Sequence, residues 1–261
     1  MHRLRDYILI AAIAVLAAVL LKTFVLDAAV IPSHSMEQTL LVGDYVLINK
    51  MIKHDHPSRS FHNVRAEMPS VNIPVFRGIE RGDVVAFKFP TTSDDQRDRI
   101  YYIKRCVACA GDEIYVQGGN VWVNDQLRML PEKESDRKET AALGPVVVPY
   151  CGQSITLTKD NLSFWKSLIA NEGHDVEDGA DGICIDGKQA STYTIEKNYL
   201  FVLGDNREHS YDSRAWGFLQ EDNVVGKVMM IYWSQEMVTS LHSITDFLSS
   251  VRWHRIGTFI Y

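Results

Sequence analysis

The sequence predicts a mainly β protein: an N-terminal transmembrane helix followed by a β-rich core that carries an inserted second subdomain. Three observations support this. A charge-poor apolar run opens the chain, short β-branched and aromatic runs recur between Gly and Asp turns, and the composition changes near Arg128. The 261 residues suffice for one sizeable domain with an insertion, and 46% hydrophobic against 23% charged residues is the make-up of a chain that folds. A net charge of -6 without a long basic run argues against a nucleic-acid partner. Four cysteines are too few for a disulfide scaffold, although export would permit one or two bridges.

The first element is the membrane helix. Tyr7–Leu21 has no charge, and extension to Leu26 gives twenty positions interrupted only by Lys22 and Thr23. Such a helix rises about 30 Å, the thickness of a bilayer core. Lys22 lies near its far end, where the side chain snorkels to the headgroups. Arg3 and Arg5 precede the run and no Lys or Arg occurs from Thr23 to Asn49, which leaves the short N-terminus in the cytoplasm and the rest outside. A cleaved secretory signal is the competing reading. Asp27, in Asp27-Ala28-Ala29, puts a carboxylate where such a site needs a small side chain.

Residues 30–127 read as the first part of the core. Val30–Met36 is extended, Leu40–Ile48 is turn and strand, and Lys53–Val71 is a polar loop. Val84–Phe89 and Ile100–Val107 are strands either side of a charged turn at Asp94–Arg99. Ile114–Val116 and Val121–Val123 form a hairpin about Gln117-Gly118-Gly119-Asn120. Residues 128–197 read as the insertion: a charged stretch at Glu132–Glu139, the run Val146–Val148, a short helix at Lys159–Ala170 and an acidic loop at Glu172–Gly182. The core resumes over 198–234 with strands Tyr199–Leu203 and Val224–Trp233. In the tail, 235–261, Val238, Leu241, Ile244, Phe247, Leu248 and Val251 mark one helical face, followed by Arg252-Trp253-His254-Arg255 and the aromatic Phe259-Ile260-Tyr261. That helix is expected to pack on the domain, and an interfacial helix with basic and aromatic anchors is the alternative.

No phosphate-binding loop, dinucleotide fingerprint or His-Glu-x-x-His motif occurs. Cys106 and Cys109 have C-x-x-C spacing inside a β run, with Cys151 and Cys184 standing alone, so core cysteines or a structural bridge are expected rather than a metal site. The informative segment is Ile31-Pro32-Ser33-His34-Ser35-Met36. On an extended strand, serines two apart face the same side, so one attacks while the other helps hold an oxyanion. Ser35 lies nine residues past Leu26, within about 30 Å of the membrane boundary. A base is then required. Lys104 qualifies if burial lowers its pKa by roughly three from about 10.4, at a cost of ~4 kcal/mol. Strand alternation does not separate it from Lys88, since both faces of its run are apolar. His34 or His209 as base is the rival; adjacent residues on a strand diverge, so His34 would face away from Ser35.

The motifs Ile31-Pro32-Ser33-His34-Ser35-Met36 with Thr39-Leu40, Gly43-Asp44-Tyr45-Val46-Leu47, Tyr102-Ile103-Lys104-Arg105 with Gly111-Asp112, and Gly204-Asp205-Asn206-Arg207 through Ser210, Asp212-Ser213-Arg214 and Trp216-Gly217 occur in the order seen in type I signal peptidases. The whole chain resembles that family. The resemblance implies a Ser-Lys serine endopeptidase without metal or cofactor, with Ser35 as nucleophile, Lys104 as general base and the Ser33 hydroxyl in the oxyanion hole beside the Ser35 N–H. It implies that Ser210 orients the base, that Asp212 and Arg214 form a supporting ion pair, and that Ile31, Met36, Leu40, Tyr102 and Ile103 line small-residue pockets. It further implies signal-peptide-bearing preproteins as substrates, the bilayer as a partner, and a bacterial inner or cytoplasmic membrane with the β-rich catalytic core outside. Gln38 stands where many members carry proline, and Cys106-Val107-Ala108-Cys109-Ala110 replaces a run usually ending Leu-Pro. An anchored β-domain that binds exported chains without cutting is the rival from another class.

Overall fold

The computed structural model describes residues 2–52, 78–89, 101–117, 120–127, 143–179, 182–237 and 243–261. The expected loop at Lys53–Val71, the turn at Asp94–Arg99, the stretch Glu132–Glu139 and the tail positions Val238 and Leu241 lie outside the described residues. Helix α1 (His2–Leu20) runs through a π-helical turn, Leu21–Val25, into strand β1 (Leu26–Val30). The stretch Arg5–Val25 is long and apolar enough to cross a membrane, and among the described residues nothing buries it. Leu26 was expected to close the helix. It opens β1 instead, because it pairs with Asn49 on the next strand.

The following strands are β2 (Asp44–Asn49), β3 (Val84–Phe87), β4 (Tyr102–Ala108), β5 (Glu113–Gln117), β6 (Asn120–Val123), β7 (Gln126–Leu127), β8 (Leu143–Val147) and β9 (Ser154–Thr156). Helix α2 (Lys159–Asn171) leads to β10 (Val176–Gly179), β11 (Gly182–Ile185), β12 (Lys188–Gln189), β13 (Thr192–Thr194) and β14 (Tyr199–Leu203). The short helix α3 (Ser213–Trp216), β15 (Leu219–Gln220), β16 (Val224–Ser234) and α4 (Ile244–Ser250) complete the described strands and α-helices.

Seven strands form the main antiparallel sheet in the order β1-β2-β16-β3-β4-β14-β15. Its central strands are covered on both sides, since Val84, Ala86 and Ile103 pack in one apolar cluster while Val85, Phe87 and Cys106 pack in another. Gly43 explains the Gly-Asp turn before β2: its φ is +86°, and a Cβ there would strike the main-chain oxygen of Gln235. A second sheet, β7-β6-β5-β8, contains the expected hairpin but pairs β5 with β8, so it joins residues on both sides of the composition change at Arg128. Its core also takes in α2, whose N-terminus carries a capping box between Thr158 and Asn161.

Two expectations need correction. The acidic stretch Glu172–Gly182 is not simply a loop, because Val176–Gly179 pairs with Gly182–Ile185 and thereby satisfies its main-chain groups. The tail helix ends at Ser250, since Val251 bridges to Gln235 beside β16. The helix packs on the domain, with Phe247 and Trp253 against Trp233. Arg252 and Arg255 turn inward and so do not act as outward basic anchors. Arg252 Nη2 donates to Gln235 O at 3.0 Å, and Arg255 Nη2 donates to Asp44 Oδ2 at 2.6 Å.

Candidate active site

Ser35 sits in a single 3₁₀ turn, His34–Met36, placed at the start of the core by Ile31, whose N–H donates to Asp44 O at 2.8 Å. Ser33 precedes the turn in extended conformation (φ -135°, ψ 162°). The two serines therefore do not alternate along one strand as expected. Their hydroxyls nevertheless lie 3.4 Å apart, because the turn folds Ser35 back toward Ser33.

Lys104 stands within β4, and the buried residues on either side of it in the strand keep its side chain in the core. It is 4% exposed and Ser35 is 9% exposed. Lys104 Nζ donates a 2.7 Å hydrogen bond to Ser35 Oγ across 69 residues of sequence. Burial pulls the Lys104 pKa down to about 8; the carboxylates of Asp212 and Asp205 act against this fall and the Arg214 guanidinium adds to it. Lys88, by contrast, lies just past β3 and is exposed. Among the described residues neither rival imidazole reaches Ser35. His34 points outward and His209 Nδ1 lies 3.3 Å from Asn206 Oδ1.

The segment after β14 clamps this turn from behind. Asn206 N–H donates to Ser35 O at 3.0 Å, its side-chain amide donates to His34 O at 3.0 Å, and Asp205 N–H meets Met36 Sδ at 3.4 Å. Gly204 is needed here because a Cβ would lie 2.6 Å from Ser35 O and overlap the Ser210 side chain. Asp212 is fully buried; its carboxylate takes Arg214 Nε at 2.8 Å and Nη2 at 2.9 Å, and accepts from Gly204 N–H at 3.0 Å. Ser210 Oγ is buried and makes no hydrogen bond among the described residues, to Lys104 or to any other group.

A cavity of about 160 Å³ opens onto Ser35 and Lys104 between two segments, Ile31–Met36 and Tyr101–Lys104. Ile31, Met36, Tyr102 and Ile103 line it and Leu40 does not; Leu40 is wholly buried in the apolar cluster with Ile31, Met36 and Ile103. Pro32 and Tyr101 line it without having been singled out.

The match to the family model of "Signal peptidase, peptidase S26" spans residues 4–233 and so includes every residue of this constellation. The chain belongs to the signal peptidase family. A signal peptidase I of Aquifex aeolicus is 28% identical over 91% of this chain and 88% of its own length. That of Pseudomonas aeruginosa is 29% identical over 82% and 67%. A crystal structure of a signal peptidase I from Enterococcus faecalis V583 aligns with 57% of this chain and 95% of its own at 21% identity, with a TM-score of 0.27.

Sequence reasoning missed the role of the Arg105–Asp205 pair. Arg105 Nε and Nη2 donate to the two Asp205 oxygens at 2.8 and 2.7 Å, and both side chains are buried. Nη1 also donates to Gly82 O and to Tyr261 O, tying the tail under the core. The signal was an arginine inside an apolar strand, which requires a partner. The four cysteines are unbridged, with Cys106 and Cys109 sulfurs 3.7 Å apart. The Cys109 contact and then burial push the Cys106 thiol well up, which keeps it protonated and poorly reactive. Gln38 is exposed, and the turn that lacks the usual Leu-Pro is held by Asp112, which accepts from Cys109 N–H at 2.8 Å.

Proposed function

We propose that this protein is a membrane-bound serine endopeptidase that removes N-terminal signal peptides from exported preproteins, with Ser35 as nucleophile and Lys104 as general base. The observation that carries the reading is the 2.7 Å contact between the Ser35 hydroxyl and a buried lysine whose pKa is pulled down to about 8. At pH 7 roughly a tenth of Lys104 is then neutral. The neutral amine takes the Ser35 proton as Oγ attacks the scissile carbonyl carbon. The oxyanion so formed meets the Ser35 N–H and the Ser33 hydroxyl, whose oxygen lies 3.4 Å from Ser35 Oγ. The Lys104 ammonium gives its proton to the leaving amine, and a water activated by the same lysine then releases the acyl group.

Ser210 has an unused hydroxyl buried beside Gly204, which suits a group that orients the lysine when substrate fills the cleft. Asp212 and Arg214 brace the turn beneath it. The seven-stranded sheet is the catalytic core in this reading, and the inserted subdomain starts with the β5–β6 hairpin, ahead of Arg128. The span Arg5–Val25 anchors the chain in a bacterial inner or cytoplasmic membrane, and Arg3 and Arg5 place the core on its outer side. The bilayer thus presents the signal's apolar segment beside the cleft.

The test is cleavage of a precursor with an Ala-x-Ala site by full-length protein in detergent. Cutting is expected from the wild type and from Lys88→Ala, with none from Ser35→Ala. Undiminished cutting by Ser35→Ala would rule out the mechanism. A folded wild type that neither cuts nor acylates Ser35 with a serine-directed probe would leave a binding domain.

A further inference from the structure

Tyr101 is used by none of the steps above, yet it forms part of the wall of the cleft. Its hydroxyl donates a 2.7 Å hydrogen bond to Asp27 Oδ2, and the other Asp27 oxygen accepts from Ala28 N–H at 2.8 Å. Both carboxylate oxygens are thus engaged and their orientation is set. Burial and then Asp27 push the Tyr101 phenol up to about 12, so it stays a donor throughout the working pH range. Asp27 belongs to β1, which among the described strands pairs with β2 alone, so the bond spans from this strand to the start of β4. Ala29, two residues on and facing the same way, packs with Tyr101 against the same apolar cluster. Of the two, Tyr101 lines the cleft, so a ring tethered at its tip forms this part of the wall.

We propose that Tyr101, held in place by Asp27, determines the size of the substrate side chain that the cleft admits. The proposal rests on the proteolytic reading above and adds a specificity-determining pair to it. In a cleft of about 160 Å³, a ring fixed at its tip excludes branched side chains, whereas an untethered ring can swing aside. Asp27 is a positioning residue that acts through Tyr101.

The test compares kcat/KM for matched precursors with Ala-x-Ala sites and with Leu replacing either Ala, using full-length protein in detergent. Tyr101→Ala is expected to shift the Leu-to-Ala ratio upward by roughly tenfold or more at one of the two positions. Tyr101→Phe and Asp27→Asn preserve the ring and are expected to shift the same ratio, at the same position, by a few-fold. These two variants decide the matter should Tyr101→Ala fail to fold. The labelling rate of Ser35 by a serine-directed probe reports that the reacting atoms are intact. Variants that label normally, or that lose both precursors equally, with the ratio unchanged would overturn the size filter. A wild type that cuts no precursor would overturn the proteolytic reading and the filter with it.

Discussion

Lys104→Met is expected to abolish cutting while making the protein more stable. In the proposed mechanism Lys104 is the general base, loss of which lowers turnover by roughly 10²- to 10⁴-fold, and a methionine thioether cannot take the Ser35 proton. The stability gain follows from the same burial. Folding lowers the lysine pKa from 10.5 to about 8, which at about 1.4 kcal/mol per pKa unit costs the native state about 3 kcal/mol when the amine is charged. The lost hydrogen bond to Ser35 returns about 1 kcal/mol of that, leaving a net gain of about 2 kcal/mol. The pH dependence has a definite sign. Below pH 8 the lysine is charged in both states and the native protein bears the whole penalty. Between pH 8 and 10.5 the folded lysine is neutral and the unfolded one still holds its proton, so wild-type stability rises with pH and the gap to Lys104→Met closes. Denaturant midpoints at pH 7 and pH 10 read this directly. A methionine variant less stable than wild type at pH 7 would mean that the lysine is not held against a desolvation cost.

Asp205→Ala is expected to have the largest effect on folding. It removes both carboxylate oxygens from the Arg105 fork and leaves the guanidinium buried with, among the described residues, only Thr39 Oγ1 and the main-chain oxygens Gly82 O and Tyr261 O. Breaking a buried pair from one side costs about 3–5 kcal/mol, because the remaining charge stays out of water. The damage spreads to the site. Asp205 follows Gly204, its N–H meets Met36 Sδ, and its side chain also accepts from Thr39 Oγ1 at 2.5 Å. Asp205→Asn keeps the shape and removes the charge that favours the Lys104 ammonium, so its pH–rate profile is expected to move to lower pH. A change below about 1 kcal/mol in Asp205→Ala would show that water already reaches Arg105.

Most of the architecture was legible because β3, β4, β14 and β16 are strings of β-branched and aromatic residues, which lie where local preference and burial agree. The failures mark places where tertiary pairing decides. Leu26-Asp27-Ala28-Ala29 carries little strand preference and becomes β1 only through β2. The acidic segment after α2 is polar in composition, yet its partner strand β11 makes a hairpin of it. The proximity of Ser33 and Ser35 was anticipated from strand alternation but arises from a 3₁₀ turn. Lys104 and Lys88 look alike locally, and only the covering of both faces of β4 separates a buried amine from one that reaches solvent just past β3. Arg252 and Arg255, beside an exposed Trp253, resemble membrane anchors in sequence and instead bond main-chain oxygens and the buried carboxylate of Asp44.

The central claim is that a buried lysine removes the Ser35 proton, and the single-turnover rate of precursor cleavage as a function of pH tests it most directly. Rate is expected to rise with pH through an apparent pKa near 8, where Lys104 becomes neutral, and no rise is expected in Lys104→Met. A rise centred near 6.5 that survives in Lys104→Met would assign the base to a histidine and contradict the account.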